Sequence, residues 1–148
     1  IGPKADGTIP EGDKKILRDL AAWMKVNGEA IKGAKVWRKS AEGPTRAKEG
    51  QFSDQTEQIY TSEDYRFTAN HGNIYAIALS CPRGGVFHVK SLAESKNQNV
   101  PEFHGIVKNV QILGYEGNLR WHTDGEGLHV VTDGMEADFP VVLKVEVE

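Results

Sequence analysis

The densest group of chemically competent side chains is Trp121-His122-Thr123-Asp124-Gly125-Glu126-Gly127-Leu128-His129, with two imidazoles and two carboxylates in nine residues. If residues 124 to 127 turn a hairpin, Thr123 pairs with Leu128 and His122 stands opposite His129 on one face. Imidazoles beside carboxylates are the donor set of a divalent metal site, but zinc needs three or four fixed ligands, and these carboxylates sit on a glycine-rich tip. Alternation places Trp121, Leu128 and Val130 on the apolar face. The simpler expectation is that both histidines point to water and that no metal is held.

Asp124 and Glu126 also invite reading as a glycosidase pair, since a retaining mechanism uses two carboxyl groups about 5 Å apart, one of them kept protonated. A glycine-flanked turn supplies neither the burial nor the neighbouring charge that raises a carboxyl pKa. No catalytic role is assigned to either. Cys81, followed by Pro82, is expected to be a small buried hydrophobe rather than a nucleophile. Gly84-Gly85 lacks the Lys-Ser/Thr and helix of a phosphate loop and reads as a turn. His71 falls in a turn, and His88 and His104 have no partner at a useful spacing.

The three tryptophans have two uses. An exposed indole stacks on sugar C–H faces, so Trp37 with a tyrosine, or Trp121, could form a glycan platform; core packing is the commoner use of such rings. A carbohydrate-binding β-sandwich module is therefore the alternative reading of the whole chain. No Asn-x-Ser/Thr sequon occurs.

These side chains need elements to hold them. Thr8-Ile9-Pro10-Glu11 has the form of a capping box, which predicts a helix starting there with Pro10 in its first turn. Ile16, Leu17, Leu20, Ala21 and Met24 follow at spacings of three and four, a single apolar stripe. Asn27-Gly28 is the expected stop. Beyond Gly33 the period changes to two. Tyr65 to Ala69 and Ile74 to Leu79 flank Asn70-His71-Gly72-Asn73 as a hairpin. Val86 to Val89, Ile106 to Leu113, Asn118 to His122, Leu128 to Val131 and Val141 to Val147 add short strands, the last with Val141, Leu143, Val145 and Val147 inward and a wet opposite face. Residues 40 to 58 read as a long loop or arm. The expected fold class is mainly β, an antiparallel β-sandwich preceded by one amphipathic N-terminal helix.

Composition narrows the function. A chain of 148 residues, 39% apolar and 26% charged, has the size of one globular domain and enough apolar surface to fold. The longest apolar run, Ile74 to Leu79, is far short of the roughly 20 residues of a membrane helix, and the N-terminus carries no apolar signal segment. A single cysteine excludes an intrachain disulfide and leaves the redox compartment open. The net charge of −3 gives no field to attract nucleic acid. Residues 1 to 48 nonetheless carry 11 Lys/Arg against 6 Asp/Glu, and residues 49 to 148 carry 7 against 15. That asymmetry suggests two structurally different parts.

The helix is the difficulty, because a closed sandwich offers its stripe no second core. The chain also begins at Ile1 rather than Met, and the expectation is that it belongs to a longer polypeptide.

The opening Ile1-Gly2-Pro3-Lys4-Ala5-Asp6-Gly7-Thr8-Ile9-Pro10 resembles the end of the catalytic barrel in α-L-fucosidases of glycoside hydrolase family 29. There the pattern is Asn-(Val/Ile)-Gly-Pro, two variable residues, Asp-Gly, one variable residue, Ile-Pro; the leading Asn does not occur here. The resemblance continues through Trp23-Met24-Lys25-Val26-Asn27-Gly28-Glu29-Ala30-Ile31, Trp37 and Glu42-Gly43-Pro44-Thr45. It extends more weakly to Arg66-Phe67-Thr68, Ile74 to Leu79, Ile112-Leu113-Gly114 and Gly127-Leu128. It implies that residues 1–31 are the last loop and helix of a (β/α) barrel and residues 34–148 its appended β-sandwich. Lys4 to Gly7 would lie at the barrel's C-terminal face, and Ile16, Leu20 and Met24 would pack on barrel strands outside this sequence. The family is retaining, with an Asp nucleophile and a Glu acid/base and no cofactor. Neither motif has a counterpart here, so the resemblance implies a non-catalytic C-terminal part of an enzyme acting on fucosylated glycans. It further implies a location outside the cytoplasm, in periplasm, secretions or lysosomes.

Overall fold

The computed structural model describes residues 2–46, 59–95 and 103–148. One helix, α1 (Glu11–Asn27), precedes eight strands: β1 (Lys35–Glu42), β2 (Tyr65–Asn70), β3 (Asn73–Ala78), β4 (Val86–Val89), β5 (Val107–Ile112), β6 (Leu119–Asp124), β7 (Gly127–Thr132) and β8 (Val141–Val147). They form a five-stranded sheet, β1-β2-β3-β8-β5, and a three-stranded sheet, β4-β7-β6. All pairings are antiparallel. Tyr65, Phe67, Val110, Leu143 and Val145 from the first sheet meet Phe87, Val89, Leu128 and Val130 from the second in the main core. The expected sandwich is therefore present, and the layers run helix, large sheet, small sheet.

The helix begins two residues later than expected, with Pro10 at its cap rather than in its first turn. Thr8 caps nothing: its N–H and Oγ1 both donate to Asp6 Oδ1, at 2.9 and 2.7 Å, and Pro10 occupies the cap position. A carboxylate two residues upstream closes a local turn that wins the hydroxyl away from the helix end. At the other end Gly28 keeps a right-handed helical backbone (φ −59°) and leads into a 3₁₀ turn, Gly28–Ala30; the left-handed reversal comes at Gly33 (φ +72°).

Two strand expectations are corrected. Lys35–Glu42, whose last three residues fell in the expected loop, is an edge strand, with Val36 73% exposed and a bulge between Val36 and Ala41. Exposed charges on an edge strand blunt the alternation that reveals central strands. The remainder of that expected arm, residues 47–58, lies outside the described residues. The outer face of the large sheet is not simply wet, either. Tyr75, Ile77 and Val142 on that face pack with Ala30 into a second, smaller core, and Trp23, Leu79 and Leu113 border it. The β2–β3 hairpin does form as expected, turning on His71 (φ +50°) and Gly72 (φ +78°).

Candidate functional site

The two outer faces of the sandwich carry different chemistry. On the large sheet, the C-terminal end of α1 is fastened down. Trp23 Nε1 donates to the Pro140 carbonyl at 2.7 Å, Thr68 Oγ1 to the Ala30 carbonyl at 2.6 Å, and Asn70 Nδ2 to the Glu29 carbonyl at 2.8 Å. Lys144 pairs with Glu29 at 3.1 Å. The N-terminal half of α1 has no such cover. Ile16 and Leu20 are 56% and 54% exposed, one helical turn apart, and with Trp23, Phe139 and Pro140 they line a shallow apolar groove of about 350 Å³. Met24, the third residue of the expected docking set, is half-buried and does not line the groove. Covering Ile16 and Leu20 would contribute roughly 1 to 2 kcal/mol each.

On the small sheet the β6–β7 hairpin has the expected register, Thr123 opposite Leu128 and His122 opposite His129. The structure adds what local spacing missed: His88 on β4 lies opposite His129 from the other side. Three imidazoles therefore cross the sheet as a ladder. The His88 and His129 rings are stacked at 4.3 Å between centroids, and His129 and His122 at 4.7 Å. Phe87 and Val89, both buried, show by alternation that His88 faces outward. Only the β4–β7 pairing reveals its neighbour.

Asp124 closes the end of the ladder. Its Oδ1 accepts from the N–H groups of Glu126 and Gly127, at 2.8 and 3.1 Å, and lies 3.1 Å from His129 Nε2. The Glu126 amide, with support from His129 and the Gly127 amide, holds the Asp124 carboxyl below its ordinary value. That is the opposite of what a general acid requires.

The remaining candidates are structural. Burial pushes the Cys81 thiol up, away from nucleophilic use. Trp37 packs on Phe67 and Phe103, with ring centroids at 5.3 and 6.0 Å, under the Arg38 guanidinium. Trp121 borders the main core and Trp23 the second. Each indole is engaged with protein rather than presented as an open platform.

Glu42-Gly43-Pro44-Thr45 turns out to be a latch. Glu42 accepts from the N–H groups of Lys90 and Ser91, at 2.9 and 2.6 Å. Gly43 has φ +117°, and a Cβ there would lie 2.6 Å from the Asp64 Cα. Thr45 donates its N–H and Oγ1 to the carboxylate of Asp64, which is fully buried and also receives both the N–H and the Oγ1 of Thr61. Burial works to raise the Asp64 carboxyl, but the four hydrogen bonds outweigh it and hold the group at about 2. No helix among the described residues is long and apolar enough to cross a membrane.

A family model described as the alpha-L-fucosidase C-terminal domain matches residues 54–146. The human plasma alpha-L-fucosidase is 44% identical over 124 residues, covering 82% of this chain and 21% of that protein. The mouse tissue alpha-L-fucosidase is 29% identical over 147 residues, covering 99% of this chain and 26% of its own length. The crystal structure of the Thermotoga maritima alpha-fucosidase in complex with a mechanism-based inhibitor superposes with a TM-score of 0.62 at 25% identity, over 98% of this chain and 29% of that one. The chain thus spans about a fifth to a quarter of the curated relatives.

Proposed function

The chain belongs to the alpha-L-fucosidase C-terminal domain family, and from that premise we propose that it is the C-terminal part of a retaining α-L-fucosidase. In this reading it braces a catalytic barrel that removes terminal α-L-fucose from glycans and releases no fucose itself. Residues 1–31 are the barrel's last loop and helix, and residues 34–148 its β-sandwich.

The observation that carries this reading is the division of α1 along its length. Trp23 near its C-terminal end and Ala30 in the following 3₁₀ turn are bound to the sandwich, while Ile16 and Leu20 stay exposed in an apolar groove. A stripe packed on a sandwich at one end and left uncovered at the other has room there for a further partner, as a barrel would supply. Ile16 and Leu20 form the centre of the barrel-facing surface, with Met24 toward its edge. The high coverage of this chain against the low coverage of its relatives supports the same division. The engaged tryptophans weigh against a separate glycan-binding module. A location outside the cytoplasm fits a relative named as a plasma enzyme.

An assay with a fucosyl substrate bearing a chromogenic leaving group tests the assignment. The 148-residue chain is expected to give no turnover, and the longer polypeptide that includes a barrel to give clear release of fucose. Turnover by the chain, or none by the longer polypeptide, overturns it.

A further inference from the structure

We propose that His122, Asp124 and His129, on the small sheet's outer face, form a binding site for one divalent transition metal ion of the zinc class. Three observations carry this inference.

The donor atoms already lie close together. His129 Nε2 lies 3.1 Å from Asp124 Oδ1 and His122 Nε2 lies 3.8 Å from Asp124 Oδ2, and one donor atom from each of the three residues falls within 4.8 Å of the others. Around a tetrahedral zinc ion, with bonds of about 2.0 to 2.2 Å, neighbouring donors stand roughly 3.3 Å apart. The His122 and His129 rings are stacked in parallel, so sharing one ion takes a rotation of His122 out of that stack; its side chain is 65% exposed and can move into water.

The carboxylate is fixed. Although it borders a glycine-rich tip, Asp124 is the last residue of β6 and is tied down by the amides of Glu126 and Gly127. These bonds leave Oδ2, on the His122 side, for a metal.

The ladder is braced from behind. His88 stacks on His129, and its Nε2 lies 3.0 Å from the Glu126 carbonyl. The stacking holds the plane of the His129 ring, and the carbonyl contact fastens the hairpin tip. His88 is therefore a positioning residue. Two imidazoles and one carboxylate select zinc, nickel or copper over calcium or magnesium, and three protein ligands leave a fourth position to water. The inference does not depend on the fucosidase assignment.

The test is calorimetric titration of the untagged 148-residue chain with Zn²⁺ at about pH 7.5. One equivalent is expected to bind, with perturbed ring resonances for His122 and His129 in the NMR spectrum. His122→Ala and His129→Asn should each weaken binding more than tenfold, roughly the loss of one ligand. Cys81→Ser and His71→Asn should bind as the parent does. His122→Ala removes an exposed side chain, and an unchanged circular dichroism spectrum shows that the fold persists. No saturable binding up to millimolar Zn²⁺, or binding that survives His122→Ala, overturns the proposal.

Discussion

The two outer faces of this sandwich show how differently a sheet can treat its solvent side. The large sheet's outer face is apolar, with Tyr75, Ile77 and Val142 under the end of α1, and the helix passes an uncovered apolar stripe onward. The small sheet's outer face is polar, a row of three histidines closed by an aspartate. One face is built to be covered and the other to stay wet. A sandwich of this size can hold an apolar outer face and a polar one on opposite sides of one core.

Substitutions on the two faces should differ accordingly. The largest effect is expected at Tyr75, which is fully buried under the helix. Tyr75→Ala should cost roughly 3 to 5 kcal/mol, read as a lower urea midpoint at unchanged slope. A residue belonging to neither face calibrates that number. Asp64→Ala strips the carboxylate from four donors and should cost about 3 kcal/mol. The same group predicts a pH dependence. The Asp64 carboxyl is held at about 2, below its ordinary 3.8, so its contribution is complete above 3.8 and is lost as pH falls toward about 2. Asp64→Asn should flatten the melting temperature across that window, and an unflattened curve would show that other carboxylates govern acid unfolding.

Trp23→Ala comes next. It removes the hydrogen bond to Pro140 and the edge of the second core, for about 2 kcal/mol, and should raise amide exchange in α1 while the β7 amides stay protected. Equal loosening of both sheets would break the contrast. The smallest effects belong to exposed positions. Ile16→Ser with Leu20→Ser, and separately His122→Ala, should each shift stability by less than about 1 kcal/mol in the metal-free chain. The double variant should in addition lower binding of a hydrophobic dye.

What could be read before folding follows the same contrast. The β6–β7 register was legible because Gly125 and Gly127 mark the turn and the flanking residues alternate. The third histidine was not, because β4 reaches β7 from some forty residues away in sequence and nothing local encodes that pairing. The cover on the large sheet has a signal in the sequence: Ile74 to Leu79 is continuously apolar, as a strand buried on both faces should be. Thr8 misled because its hydroxyl had a nearer acceptor in Asp6. The Asp64 latch was invisible, since a lone aspartate between polar residues looks like any loop aspartate until Thr45 and Thr61 close around it. The stripe itself was plain from spacing, but the second core that the sheet offers the end of the helix was not.

The direct test of that stripe is thiol labelling of Ile16→Cys in a Cys81→Ser background. The 148-residue chain should label rapidly, and a longer polypeptide carrying a barrel should label more than about tenfold more slowly, because the helix face is then enclosed. Equal rates in the two would contradict the account.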